Sequence, residues 1–211
     1  MNLATPAKLE LAAQYLTAAD PILTPIIKRA GRCTITPHSN YYWELIDSII
    51  SQQLSVKAAA TIERRFQALF ETEFPEPSAI LAKSTEELRT AGLSQAKAVY
   101  IRDLAQHITD GKLEFDKFDG FDNETIIAEL VAVKGIGEWT AHMFLIFCMG
   151  RLDVLPTGDL GIRNGIRALY DLAVQPSPTQ VATLAVENGW HPYESVASWY
   201  VWHSLDNAPK P

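Results

Sequence analysis

Apolar residues recur along this chain at three- and four-residue spacings, the rhythm of amphipathic helices, and strand-like alternation is nearly absent. The opening stretch, Met1 to Asp20, places Leu9, Ala12, Ala13 and Leu16 on one helical face. Asp20 is predicted to cap a second helix that starts at Pro21 and ends at Gly31. Pro37 and Asn40 break the connector, in which only Thr34 to Thr36 reads as extended. Trp43, Leu45, Ile46, Ile49 and Ile50 stripe a helix from Tyr42 to Gln53, and Ser55 caps the next, Val56 to Phe70. Gln52, Gln53 and Leu54 then fall on the turn between the two. Phe74 to Ser78 reads as a loop, and Ser84 with Glu87 as a capping box for a short helix that Gly92 ends. Ser94 caps a helix from Gln95 to Ile108. The acidic segment Asp110 to Asn123 reads as a solvated loop pinned by Phe115, Phe118 and Phe121. Helices are predicted at Ile126–Val133, from Glu138 toward Gly150, at Ile162–Leu172, Thr179–Asn188 and Ser195–His203. The expectation is an all-α protein of nine or ten helices.

Composition narrows the class further. With 211 residues, 47% hydrophobic and 20% charged, the chain fits one ordinary globular domain or two small lobes. Cys33 and Cys148 lack metal-ligand spacing, and Cys148 sits in the apolar run FLIFCMG, which suits a buried thiol. No signal-like segment opens the chain and no run reaches membrane-span length, so the expected address is cytoplasmic, with no membrane partner. The net charge of −7 argues against a strongly basic binding face. Eight acids and two lysines between Asp103 and Glu129 account for −6 of it, leaving −1 for the rest. Lys134 to Arg167 balances at +1, from four cations and three acids. Any nucleic-acid affinity is expected to be moderate and to weaken with salt.

The chemistry concentrates in ELVAVKGIGEWTAHMFLIFCMGRLDVLPTGDLGIRNG, from Glu129 to Gly165. It reads as a helix, a glycine turn, a second helix, and a loop that delivers Asp159. A Gly-Ile-Gly turn at a helix N-terminus offers backbone N–H groups to an anion, phosphate included. It is equally an ordinary helical hairpin whose glycines only permit packing. The combination of LVAVKGIGEWTA with LPTGDLGIRNG resembles the hairpin plus Gly/Pro/Asp signature of the helix-hairpin-helix DNA glycosylases, in particular their DNA-3-methyladenine glycosylase II (alkylated-base) branch.

The resemblance implies an all-α, two-lobed helix-hairpin-helix DNA glycosylase fold with a cleft. It implies one domain over residues 1–211, with a central lobe of about 37–165 and a terminal lobe of 1–36 plus 166–211. The sequence is expected to start at the catalytic fold, without the extra N-terminal domain of larger bacterial relatives. The implied activity is monofunctional excision of alkylated purines of the 3-methyladenine and 7-methylguanine type from double-stranded DNA, by a monomer. Asp159 aligns with the catalytic carboxylate. Its plain reading is a helix cap, and the two uses are compatible; Asp153 is the rival acid. Gln53 and Leu54, in IISQQLSVKAA, align with the wedge that fills the stack vacated by the flipped base, although glutamines at a helix end are commonly just solvated. Trp139 stands where bifunctional relatives carry a Schiff-base lysine. Trp139 and Trp202 align with pocket aromatics, though tryptophans on helices are more often core. Met143 and Leu160 replace pocket tyrosines of some relatives. Val133, Lys134, Gly135, Ile136 and Gly137 form the phosphate-gripping hairpin. The segment AGLSQAKAVYIRDLA resembles a pocket-supporting scaffold. No cofactor is expected, apart from a monovalent cation at the hairpin carbonyls, and no cysteine after Cys148 permits the four-cysteine cluster of the iron–sulfur branch. Rival readings are a glycosylase for uracil or a deaminated or oxidised purine, and a non-catalytic hairpin module that only binds DNA.

Overall fold

The computed structural model describes residues 2–206, so Met1 of the first expected helix and residues 207–211 of the expected terminal lobe lie outside the described residues. In chain order the helices are α1 (Pro6–Ala19), α2 (Thr24–Ala30), α3 (Tyr41–Ser51), α4 (Val56–Gln67), α5 (Pro77–Leu81) and α6 (Thr85–Arg89). They continue with α7 (Gln95–Thr109), α8 (Asn123–Val131), α9 (Glu138–Met143), α10 (Leu160–Leu169), α11 (Pro178–Glu187) and α12 (Glu194–Asp206). A 3-10 turn covers Phe115–Gly120, and α9 runs on into a π-helical stretch, Phe144–Cys148. Among the described residues the only β-type pairing is the bridge between Leu3 and Arg151. Thr34 to Thr36 therefore joins no ladder.

Most helix starts follow from local side-chain chemistry. Asn40, Ser55, Ser84, Ser94, Asp122 and Ser177 each accept a backbone N–H of the first turn that they precede. Ser84 with Glu87 and Ser177 with Gln180 complete reciprocal capping boxes. Several starts differ from expectation: α1 begins at Pro6 and α8 at Asn123, and two others have an evident local cause. Asp20 caps a turn instead of a helix, its Oδ1 accepting the Ile22 N–H at 2.9 Å, so α2 begins only at Thr24. Pro77 opens α5 inside the expected loop, because proline is tolerated in a helix's first turn.

The chain falls into two compact units, residues 40–144 and residues 1–39 with 145–211. The second boundary lies at 144/145, within the π-helical stretch, not near 165, and Asp159 thus belongs to the terminal unit. In the 40–144 unit α7 is the central element, packed against α3, α5 and α6. Ala98, Ile101, Leu104 and Ala105 of α7 are fully buried beside Leu45, Ile46, Ile49 and Ile50 of α3. The acidic segment is pinned through Phe118, whose ring lies edge-on 5.3 Å from Phe115 and 6.1 Å from Phe144.

In the terminal unit α12 takes that central place, against α10, α2 and α1. Its buried Ser195 hydroxyl accepts the Val154 N–H at 3.0 Å and donates to the Val154 carbonyl at 3.2 Å, which ties down the loop leading to Asp159. Asp20 is also wholly buried here and accepts from the Tyr170 hydroxyl and, at 2.8 Å, from the Trp190 indole. Cys33 and Cys148 are both buried, and neither forms a disulfide. Helix α10 approaches α12 through glycine: a Cβ on Gly165 would stand 2.5 Å from Val201 Cγ1 and 3.1 Å from the Val201 carbonyl oxygen. Gly165→Ala is therefore expected to overpack this contact at a cost of about 1–3 kcal/mol. A thermal melt should show Tm lowered by roughly 2–4 °C per kcal/mol; an unchanged Tm would mean that α12 yields freely.

Candidate DNA-binding and catalytic site

The 40–144 unit brings the hairpin turn and the candidate wedge turn onto one face of α7. Lys97, Tyr100 and Asp103 follow each other at three-residue spacing, which aligns them on one side of the helix. Asp103 reaches the hairpin: its Oδ2 accepts the Lys134 backbone N–H at 2.9 Å and its Oδ1 the Lys134 ammonium at 3.0 Å. Tyr100 lies under the turn, where a Cβ on Gly135 would fall 2.1 Å from the ring and where φ is +84°. Glycine is thus required there by both space and backbone angle. Lys97 donates to the Ile50 carbonyl at 2.8 Å and to the Gln52 carbonyl at 2.7 Å, at the end of α3. Burial lowers its pKa below the ordinary lysine value.

The wedge turn is tied to the hairpin directly. The Gln52 side-chain amide donates to the Gly135 carbonyl at 2.9 Å. Gln53 and Leu54 are exposed beyond that anchor, and Gln53 has φ +57°, an uncommon angle for a residue with a side chain. Of the two glutamines, one is therefore structural and the other projects.

The hairpin offers fewer donors than its five residues suggest. Val133 N–H goes to the Leu130 carbonyl at 3.1 Å, Ile136 N–H to the Val133 carbonyl at 3.2 Å, and Lys134 N–H to Asp103. Both apolar residues are buried. Gly135 and Gly137 carry the N–H groups with no protein acceptor among the described residues. Within the hairpin Val133 to Gly137, the fold itself thus uses the N–H groups of Val133, Lys134 and Ile136. The Lys134 ammonium is paired with a carboxylate as well.

Asp159 is 9% exposed and is the N-cap of α10. Its Oδ1 accepts the Ile162 N–H at 2.8 Å and the Trp202 indole N–H at 2.9 Å. Two donors from different helices hold the carboxyl in one rotamer. Gly161 makes room for this pair: a Cβ there would lie 2.9 Å from Trp202 Cδ1 and 3.0 Å from Asp159 Oδ1. Trp202 is half-buried, with its ring centroid 5.8 Å from that of Phe147. Leu160, beside the carboxyl in sequence, is 61% exposed.

Trp139 is 54% exposed on α9, so it is not a core residue, and Met143 one turn on is half-buried. Asp159, Leu160 and Trp202 thus come from the terminal unit, and Trp139, Met143, both turns and α7 from the 40–144 unit. Sequence reasoning missed Lys97 and Asp103 as supports. Their three-residue spacing within AGLSQAKAVYIRDLA was the available signal, but nothing local says what that face meets.

Residues 46–190 match the HhH-GPD superfamily base excision DNA repair protein family. The chain is 37% identical to DNA-3-methyladenine glycosylase 1 of Schizosaccharomyces pombe, over 76% of this chain and 71% of that protein. Its fold is similar to the crystal structure of a Bacillus halodurans DNA-3-methyladenine glycosidase, with a TM-score of 0.84 and 36% identity over 93% of this chain and 89% of the other. It is similar also to the Schizosaccharomyces pombe 3-methyladenine DNA glycosylase Mag1 in complex with abasic DNA, with a TM-score of 0.80 and 32% identity over 95% of this chain and 98% of that one.

The Asp103 carboxyl gives a pH signature. Burial acts against its charge, but the backbone N–H and ammonium of Lys134, with His107, outweigh burial and hold its pKa below the ordinary value. A carboxylate with a depressed folded pKa stabilises the fold above its unfolded pKa of about 3.9 and loses that contribution as pH falls through the folded value. The Tm difference between wild type and Asp103→Asn should therefore be full near neutral pH and shrink below about pH 4. A difference independent of pH would sink the charge-based account of this support.

Proposed function

The chain belongs to the HhH-GPD superfamily of base excision DNA repair proteins, and on that premise we propose that it is a monofunctional DNA glycosylase that hydrolyses the N-glycosidic bond of alkylated purines of the 3-methyladenine and 7-methylguanine type. The observation that carries the reading is the fixed carboxyl of Asp159. Cleaving an N-glycosidic bond builds positive charge on the sugar, and a pre-set carboxylate stabilises that charge without reorganising as it forms. The cap bond and the Trp202 bond supply the rigidity. The same carboxylate orients the attacking water.

DNA is the partner. The Gly135 and Gly137 N–H groups take a backbone phosphate, and Gln53 with Leu54 fills the stack left by the everted base. Eversion costs a few kcal/mol, less at a damaged pair. Trp139, about half exposed, stacks on the base. A cationic alkylated purine gains of order 1 kcal/mol from such a face. Trp139 offers no amine, so no Schiff base forms and the product is an abasic site. A monovalent cation at the hairpin would meet neutral carbonyl oxygens, a suitable donor set, of which Gly135's already accepts from Gln52 and Val133's from Ile136. Among the described residues, no group of three or more His, Cys, Asp or Glu side chains could hold a metal ion. No described helix is long and apolar enough to cross a membrane.

The test is release of free base from a panel of duplexes, each with a single lesion. Methylated purines should be released and undamaged bases should not. Release of uracil or an oxidised purine instead would replace the assigned substrate, and no release from any duplex, with equal binding to all, would leave a DNA-binding module. Asp159→Asn keeps an acceptor for both N–H donors, so it should fold normally and lose about 100-fold or more in single-turnover rate. Trp202→Phe removes one charge-assisted hydrogen bond to the catalyst and should cost about tenfold, with Asp159 still accepting the Ile162 N–H as the cap of α10. Wild-type rates in the asparagine variant would overturn the assignment of Asp159.

A further inference from the structure

The turn that carries Gln53 has an identifiable geometry. The Leu54 N–H donates to the Ser51 carbonyl at 3.1 Å, closing a four-residue turn from Ser51 to Leu54. Gln52 has φ −47° and ψ 126°, and Gln53 has φ +57°. These are the angles of a type II β-turn, whose third position favours glycine or asparagine because φ is positive there. A glutamine in that place is disfavoured. The same four residues could close a type I turn with Gln53 at an ordinary negative φ. The two forms differ by a rotation of the central peptide, the one joining Gln52 to Gln53. In type II its carbonyl points to one side of the turn; in type I that side receives the Gln53 N–H.

Lys97 stands on that side. Its ammonium accepts nothing and donates to the Gln52 carbonyl at 2.7 Å, while the Ile50 carbonyl, 2.8 Å away, fixes it against the end of α3. In a type I turn the ammonium would lose one acceptor and face an N–H donor instead. We propose that Lys97 is a positioning residue for base eversion: it selects the type II form of the wedge turn and so holds Gln53 at the left-handed angle from which its side chain projects. The Gln52 amide, bonded to the Gly135 carbonyl, keeps the selected turn in register with the hairpin. The arrangement accounts for a costly angle at a position where glycine would be cheaper, since glycine has no side chain to insert. Lys97 therefore acts through the backbone and not on DNA phosphate. This inference rests on the assignment of Gln53 as the wedge.

Lys97→Met tests it, compared with wild type, with Gln53→Ala, and with the double variant Lys97→Met/Gln53→Asn. The primary readout is the nuclear Overhauser pattern of the free protein. A strong contact from Gln52 Hα to the Gln53 amide proton marks type II, and a strong contact between the two amide protons marks type I. Lys97→Met is expected to change the pattern to type I, and the added asparagine, which tolerates positive φ, to restore type II. On a duplex with one 7-methylguanine and 2-aminopurine beside it, Lys97→Met should lose the unstacking signal and at least tenfold in single-turnover excision. The salt slope of binding to undamaged duplex should stay at the wild-type value, whereas removing a phosphate contact lowers it by about one. Should the methionine variant not fold, Lys97→Gln, which keeps one donor, is read in the same way and should show a mixture of both turn patterns. A retained type II pattern, or a slope that falls by one, overturns the proposal. The turn pattern needs no catalysis. A wild type that releases no base would thus refute the glycosylase reading alone, and Gln53→Ala with wild-type excision would refute the wedge alone.

Discussion

Three side chains on one face of α7 hold the two irregular turns that a DNA-binding role requires. Lys97 holds the end of α3, Tyr100 underlies Gly135, and Asp103 holds Lys134. Turns with positive φ are poor at maintaining themselves, because few backbone bonds close within them. Here each is secured from outside by a rigid element whose other face is buried in the core of the same unit. The precision of both turns is thus inherited from the packing of α7.

The terminal unit solves a related problem with one carboxylate. A free Asp at a loop end samples several rotamers. Asp159 is made rigid by doing structural work, capping α10 while accepting from the Trp202 indole. Gly161 leaves the space in which cap and indole converge, and Gly165, one turn on, brings α10 against Val201 of α12. The helix start thereby supplies the kind of pre-organisation that an electrostatic catalyst needs, which is why the proposed catalytic role and the cap role suit one group.

The charge distribution fits a binder that relies on few strong contacts. The net charge is −7, and the hairpin's lysine already has a carboxylate partner. In the proposed role, attraction to phosphate would come mainly from the backbone N–H groups at Gly135 and Gly137, which carry no net charge and need accurate placement to be useful. A surface of that kind would hold DNA less tightly than a basic patch and would depend more on the fold that aims its donors. The Asp103–Lys134 pair illustrates the trade: it neutralises the hairpin's cation and in return fixes the turn.

Much of this was legible in the sequence because it is local. Ser55, Ser84 and Ser94 cap helices where their spacing to the following apolar run says they should, and the Gly-Ile-Gly turn and the Asp159 cap follow from glycine and Asp chemistry within a few residues. The tertiary structure alone decided what lies across the chain from each of these. Lys97 and Gln52 find their acceptors 45 and 83 residues away, and Asp159 its second donor 43 residues away. No local pattern encodes such a pairing, since a lysine or glutamine on a helix reads as solvated until another segment arrives beside it. The unit boundary at 144/145 was hidden for the same reason: Met143 to Cys148 is one continuous apolar run, and only the packing of α10 on α12 shows that the chain has already passed into the other unit. Local chemistry named the groups, and long-range packing chose which of them point outward and which are used up in holding the fold.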